Sequence, residues 1–545
     1  MTQKRSLSRH RVRDRGRCIV IGTAQAAAQL CRQLQVLDDP PCINGVFLHR
    51  QDAIADNHEP FEELGLTVLG TADDLCTLID ARTIDYAIVT MPSVLSDAIT
   101  HIRTTLRRIG VPERFIATLQ DHLDGIGPRT LFEVSPVDLI GRPSHPIDED
   151  SIRQAIAGRK VLITGAGGSI GSEMAMQVAS YGPAEMFLME RAENALFEID
   201  RRIARRYPGI RRGVWLHDVA NADKTLAYCE AARPDIVFHT AAHKHVPMLE
   251  DHPREAVRNN FFGTMAIVDA AAQTACERFV MISTDKAVNP SSIMGATKRL
   301  AELYVQHMNS ICEARFNMVR FGNVLGSNGS VLPIWAAQLR DGGPLTVTDE
   351  RMTRYFMTIP EAASLVLQAA SLTDGVPGDE AELYQLDMGQ PVAILDLAKR
   401  FIEAHGLEPQ VIESSSADRA GAGHAEVMPI VITGIRPGEK LHEQLVYESE
   451  QLIPTAHPAI RRWQAEPPCP ERIADMVATL LESCLTDRAG TILTAIHRLL
   501  PEMETSAYED QVMQRSAAGG VSAAQHEISS ALPQTQQPHP RVRVA

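Results

Sequence analysis

Short apolar runs alternate with amphipathic stretches along most of this chain, and that alternation predicts an α/β protein built on parallel sheets. Cys18-Ile-Val-Ile21, Val46-Phe-Leu48, Thr67-Val-Leu69 and Ala87-Ile-Val-Thr90 read as buried strands. Residues 24–36, 71–81 and 95–109 carry helical periodicity between them. Prolines and acids then break the pattern over 139–158, where only 151–157 reads as helix. The alternation resumes with Lys160-Val-Leu-Ile163, Met186-Phe-Leu-Met189, Val214-Trp-Leu216, Ile236-Val-Phe238, Phe279-Val-Met-Ile282 and Phe316-Asn-Met-Val319. The last of these is the last recognisable strand of the Rossmann half. Most of these runs are continuously apolar rather than alternating, as expected for strands covered on both faces.

The expected organisation follows from these breaks. Residues 1–17 form a basic arm, and 18–145 a Rossmann-like domain. Residues 146–455 form the main nucleotide- and substrate-binding domain, 456–500 a helical extension, and 501–545 a disordered tail rich in Gln, Ser, Ala and Pro. The Ser/Ala/Gly-rich segment 414–423 is expected to be a mobile insertion.

The turns after the strands carry the candidate chemistry. Gly22-Thr-Ala-Gln-Ala-Ala27 has one glycine where a dinucleotide turn needs three, so the first domain is degenerate. Thr164-Gly-Ala-Gly-Gly-Ser-Ile-Gly171 lies between a strand and a helix with Gly165, Gly168 and Gly171 at the required spacing. Its backbone, with Ser169 and Ile170 opening the helix, is suited to a pyrophosphate. Glu190 ends the next strand, where an acid binds a ribose 2′-hydroxyl and favours NAD. Adjacent Arg191 leaves NADP open. Asp218 and Val219 are placed to meet the adenine, and Ala241 to line the same cleft. His243 and His245 have no third ligand or Cys-x-x-Cys beside them, so no metal site is expected.

The strand Phe279–Ile282 runs into Ser283-Thr-Asp-Lys-Ala-Val-Asn-Pro290 and then Met294 and Lys298, four apart on one helix face. Short-chain dehydrogenase/reductases place a Tyr and a Lys at that spacing. Here the Tyr position is Met294, and a thioether exchanges no proton at neutral pH. Proton transfer therefore falls to Asp285 and Lys286. Lys244, Asn323, Ser330, Arg354, Arg436 and Glu439 are the polar and charged groups expected to hold a phosphorylated substrate.

Composition changes this picture little. A 545-residue chain with 44% hydrophobic and 22% charged residues is an ordinary multidomain globular protein. Its formal charge of -15 argues against a general nucleic-acid partner. Nine cysteines without a Cys-x-x-Cys pair point to reduced thiols and a cytoplasmic location. No apolar run reaches the ~20 residues of a membrane span. The basic arm is a candidate for peripheral contact with an anionic membrane.

Together the motifs resemble those of the UDP-N-acetylglucosamine 4,6-dehydratases of capsule, O-antigen and protein-glycan biosynthesis, members of the extended short-chain dehydrogenase/reductases. The resemblance covers about 150–455. It rests on 164–171, His243-Lys-His-Val-Pro247, 283–290, Met294 with Lys298, Arg320-Phe-Gly-Asn-Val-Leu-Gly326, Met352-Thr-Arg-Tyr-Phe-Met357 and Arg436-Pro-Gly-Glu-Lys440. Residues 18–145 resemble the extra domain of long members that begin with transmembrane helices, and the chain reads as a shortened relative without them.

The resemblance implies a Rossmann domain with a smaller C-terminal substrate-binding part and a tightly bound, recycled NAD. It implies a UDP-sugar substrate and a homo-oligomer paired through helices flanking 283–298. It also implies transient oxidation at sugar carbon 4, water elimination across carbons 5 and 6, and hydride return. Thr284 would bond the 4-hydroxyl, Asp285 act as acid, Lys286 as a carbon-5 base with a lowered pKa, and Lys298 hold the nicotinamide ribose. Asn323, Arg354, Arg436 and Glu439 would grip the UDP. The acceptor of the 4-hydroxyl proton stays open, as does the configuration at carbon 5. A UDP-sugar 4-epimerase and a non-catalytic sugar-nucleotide sensor are the rival readings.

Overall fold

A computed structural model describes residues 17–36, 40–50, 58–78, 84–92, 95–116, 139–140, 142, 144–372, 381–405, 407–412, 427–447, 452–485 and 488–503. The basic arm apart from Arg17, the 414–423 insertion and the tail beyond 503 lie outside these residues. The chain divides into two compact units between Ser135 and Pro136. Arg142 and His145, placed in the first domain by the sequence pattern, hydrogen-bond Glu361 in the second unit.

The first unit is a five-stranded parallel sheet in the spatial order Val68–Thr71, Cys42–Leu48, Arg17–Gly22, Tyr86–Thr90, Glu113–Phe115. Helices Ala24–Gln35 and Ser96–Arg108 fall where their periodicity puts them. Thr23 caps the first through Ala26 N–H. The expected helix at 71–81 opens instead as a capped 3₁₀ turn, Ala72–Asp74, and continues as Leu75–Leu78.

The second unit is built on a nine-stranded sheet. Its order is Leu452–Pro454, Ile460–Ala465, Ala381–Leu386, Arg315–Arg320, Arg278–Ile282, Ile236–His239, Lys160–Thr164, Glu185–Glu190, Arg211–Leu216. From Ala381–Leu386 onward the pairs are parallel. The strand order reverses between Lys160–Thr164 and Ile236–His239, which is where doubly wound sheets open a ligand crevice. Two expectations are corrected here. Arg315–Arg320 is not the last strand of the sheet, because Ala381–Leu386 pairs beyond it. The 456–500 region is not wholly helical: Ile460–Ala465 joins the sheet as an antiparallel strand, between Ala381–Leu386 and Leu452–Pro454, before helices Pro470–Cys484 and Ala489–Leu499. Pairing with a distant strand satisfies backbone groups that local propensity leaves undecided.

Helix Ile293–Ile311 carries Met294 and Lys298 and is buried along most of its length. Ile473, Met476 and Leu480 of helix Pro470–Cys484 share its apolar core with Leu300, Leu303 and Phe261. Helix Pro470–Cys484 therefore packs on a helix through which pairing of copies is expected. No helix among the described residues is long and apolar enough to cross a membrane.

Candidate active site

The glycine turn has the geometry that its spacing calls for. Gly165 has φ 64°, and a Cβ on Gly171 would lie 2.1 Å from Gly165 O and 2.7 Å from Thr240 Oγ1. Neither position accommodates a side chain. Gly168 caps helix Ser169–Ser180 without a side-chain hydrogen bond, which leaves backbone N–H groups at the helix start for an anion. A cleft at the point of strand reversal is lined by Gly165, Gly168, Glu190, Arg191, Asp218, Val219 and Ala241. Glu190 accepts from Gly167 N–H at 3.1 Å and Ala192 N–H at 2.9 Å, so it also braces the turn. Arg191 crosses to His243 Nε2 at 2.9 Å. Burial opposes ionisation of Asp218, but Arg258 at 2.6 Å holds its carboxyl below the usual range. These residues fit a dinucleotide: a glycine turn, a free helix start and an acid at the second strand end.

His243 and His245 do not act as a pair. The ring of His243 faces Arg191, and that of His245 lies against Gly329. His239 at the fourth strand end joins Thr164 Oγ1 at 2.8 Å to Thr264 Oγ1 at 2.9 Å. Burial and then Lys298 push its pKa down to about 3, so it is a neutral strut.

The residues expected to carry the proton chemistry gather at the end of Arg278–Ile282. Thr284 Oγ1 donates to Asp285 Oδ1 at 2.9 Å. Lys286 Nζ lies 3.0 Å from Asp285 Oδ1, 3.0 Å from Asn323 Oδ1 and 3.4 Å from Glu443 Oε1. Asp285 is fully buried, and its Oδ2 has no hydrogen-bond partner. Burial raises its pKa, which suits a carboxyl that must carry a proton. Lys286 departs from expectation. Burial pushes its pKa down, but Asp285 and Glu443 outweigh burial and hold the ammonium above the ordinary lysine value. The two carboxylates thus shift Lys286 in the direction opposite to the lowering expected from the sequence. Glu443 was missed in the sequence. It lies three residues beyond Arg436-Pro-Gly-Glu-Lys440, and nothing in its local spacing marks it.

Lys298 sits one turn from Met294, both 5% exposed. Burial pushes the Lys298 ammonium down to about 8, with Glu302 opposing. A Cβ on Gly295 would stand 2.1 Å from Lys286 O, so this helix start is held against the Thr284-Asp285-Lys286 turn. Met294 belongs to the apolar core. Met294→Leu is therefore expected to change stability by less than ~1.5 kcal/mol, as volume-conserving core swaps do. Turnover should stay within about twofold, since a thioether and an isobutyl group are equally inert in proton transfer. Thermal unfolding and a rate measurement check both.

Behind the centre lies a second group absent from the sequence reading. Glu302 is fully buried and accepts from Ser283 Oγ at 2.7 Å, Arg320 Nε at 2.7 Å and Arg320 Nη2 at 2.7 Å. Arg320 in turn lies under Trp463 and Tyr447, 5.3 and 5.7 Å from their ring centroids. This network ties the helix bearing Lys298 to the strand ends on either side of Asp285.

The expected substrate groups separate into two sets. Asn323 joins Lys286, and Lys244 reaches Ser327 Oγ at 3.2 Å. Ser330 Oγ is buried without a partner at the start of helix Val331–Arg340. Arg354 is 7% exposed and donates to the carbonyls of Thr353, Leu441 and Lys440. It anchors the segment carrying Glu443 rather than presenting a free fork. Arg436 is exposed, with Glu439 accepting from its backbone N–H at 3.3 Å.

Fold and cleft together define a Rossmann protein of the short-chain dehydrogenase/reductase type. Residues 161–465 match the family described as polysaccharide biosynthesis protein, and the chain belongs to that family. It is 38% identical to the probable polysaccharide biosynthesis protein EpsC of Bacillus subtilis over 452 residues, 81% of this chain and 71% of that protein. A Campylobacter jejuni UDP-N-acetylglucosamine 4,6-dehydratase (inverting) is 30% identical over 300 residues, 54% of this chain and 79% of that protein. A UDP-glucose 4-epimerase of Rickettsia rickettsii is 33% identical over 299 residues, again 54% of this chain and 79% of that protein.

Proposed function

We propose that this chain is a nucleotide-sugar 4,6-dehydratase that converts UDP-N-acetylglucosamine to a UDP-4-keto-6-deoxy-N-acetylhexosamine for surface polysaccharide or glycan synthesis. The observation that carries this reading is the hydrogen-bonded Thr284-Asp285-Lys286 cluster, with Asp285 buried and Thr284 and Lys286 half-buried, beside a helix with Met294 in place of a proton-exchanging tyrosine. A bound NAD, for which the glycine turn, Glu190, Asp218 and Lys298 form the cradle, supplies a reversible hydride acceptor.

The chain's own groups move the protons. Thr284 Oγ1 is already hydrogen-bonded to Asp285, so a proton leaving the sugar 4-hydroxyl has a two-step route to that carboxylate. A raised pKa lets Asp285 keep that proton and pass it to the departing 6-hydroxyl. Lys286, the nearest base for carbon 5, must first lose its own proton. Ser330 Oγ at a helix start, with Lys244 and Ser327 close to the same loop, supports binding of a diphosphate.

The second reading is a 4-epimerase, favoured by the Rickettsia relative. Both readings share oxidation at carbon 4, but only a dehydratase loses water. Mass spectrometry of the purified protein with UDP-N-acetylglucosamine in deuterated water, with and without added NAD, separates them. The expected product is lighter by one water and carries deuterium at carbon 5. Unchanged mass with a new epimer would establish the epimerase. No change with cofactor bound would leave a sensor or another sugar nucleotide.

A further inference from the structure

Glu443 closes the Lys286 site from a segment distant in sequence. Its side chain is buried, with Oε1 3.4 Å from Lys286 Nζ and 3.7 Å from Arg354 Nε. Its Oε2 is buried with no hydrogen-bond partner. A buried, half-satisfied carboxylate is costly unless it is used. Arg354 donates to the carbonyls of Lys440 and Leu441 and so ties down the start of the 440–443 segment that sets Glu443 against Lys286.

The two carboxylates around Lys286 have different surroundings. Asp285 takes the hydroxyl of Thr284 as well as the ammonium. It is thus the carboxylate on the route from the sugar hydroxyl, and it must be free to carry that proton to the leaving group. Glu443 has contact with the ammonium and no contact with Thr284.

We infer that Glu443 is the proton partner of Lys286, the positioning residue that takes the ammonium proton and so presents a free amine to carbon 5. This rests on the dehydratase reading. In the step, one N–H bond of Lys286 breaks and an O–H bond forms on Glu443, turning an ion pair into a neutral pair. The Lys286 side chain is 20% exposed; a substrate seated over it would exclude that water, penalise both charges and so work against the hold that Asp285 and Glu443 keep on the ammonium. The lone pair on Nζ then takes the carbon-5 proton, and the carbon-5 electrons expel the 6-hydroxyl as water with the proton carried by Asp285. Once carbon 6 has received its hydride, the ammonium returns a proton to carbon 5 and Glu443 returns its proton to the amine. Every group ends as it began.

Glu443→Gln keeps the shape of the side chain and removes the acceptor. In the full-length protein with NAD and UDP-N-acetylglucosamine in deuterated water, water loss and carbon-5 deuteration should fall about 100-fold, the scale of one acid–base partner. Reduced cofactor should still form. The residual elimination rate should climb with pH, because solvent must now deprotonate Lys286. Glu443→Asp should restore part of the rate. Elimination at the wild-type rate in Glu443→Gln would overturn the inference. So would equal loss of cofactor reduction and elimination with an unaltered pH profile, which is what a purely structural role produces. If the Gln variant does not fold, the pH profile of Glu443→Asp decides in the same way: a shift supports the inference and none overturns it. A wild-type chain that releases no water sinks the dehydratase reading itself, and this inference with it. A wild type that releases water alongside an equally active Gln variant sinks this inference alone.

Discussion

Lys286→Met is expected to abolish water loss from UDP-N-acetylglucosamine, a fall of 10³-fold or more on the usual scale of ~10²–10⁴ for a positioned acid–base group. Oxidation at carbon 4 should survive and appear as accumulated reduced cofactor, because Thr284 and Asp285 keep their own hydrogen bond. The substitution also strips two buried carboxylates of their shared cation. Asp285, whose pKa burial already raises, then holds a proton more firmly. Thermal unfolding of the variant belongs beside the rate measurement, since removing one partner of a buried pair costs about 3–5 kcal/mol when the other cannot neutralise. Normal turnover in a folded Lys286→Met variant would end the assignment of Lys286 as the carbon-5 base.

Glu302→Ala should lower the unfolding free energy by about 3–5 kcal/mol, the cost of leaving a buried cation unpaired. Arg320 is fully buried and donates two of its hydrogen bonds to this one carboxylate. Burial opposes the charge on Glu302, but Arg320, Arg299 and Ser283 hold its pKa below the ordinary glutamate value of 4.5. A carboxyl with a depressed folded pKa binds fewer protons folded than unfolded. Its stabilisation is therefore complete above pH 4.5 and is lost as pH falls through the lower folded value. Denaturant unfolding of wild type and Glu302→Ala should show a constant gap near neutrality that narrows only in acid. A gap below about 1 kcal/mol at pH 7 would place this pair with weak surface bridges. Replacing Glu302 and Arg320 together by apolar residues should recover part of the loss, because no orphaned charge remains.

Both predictions concern groups whose roles depend on neighbours far along the chain. The strand-turn-helix run at 160–171, the Thr-Asp-Lys turn and the spacing of Met294 and Lys298 were legible because each is local. Apolar period, glycine spacing and the four-residue helical repeat are properties of a few adjacent residues. The structure keeps all of them: Gly165 and Gly171 stand where no side chain fits, and Met294 and Lys298 share a buried face. The extra strands Ala381–Leu386 and Ile460–Ala465 were not legible, because a strand's place is decided by the partner it pairs with.

The sequence by itself determined the two α/β units, the dinucleotide turn and the residue types at the reaction centre. The tertiary structure decided the direction in which the pKa of Lys286 is shifted. Burial alone would have lowered its pKa, as the sequence reading expected. Glu443 arrives from another loop, and its charge together with that of Asp285 reverses the sign. Coulomb energy depends on separation in space, and only the folded chain sets that separation.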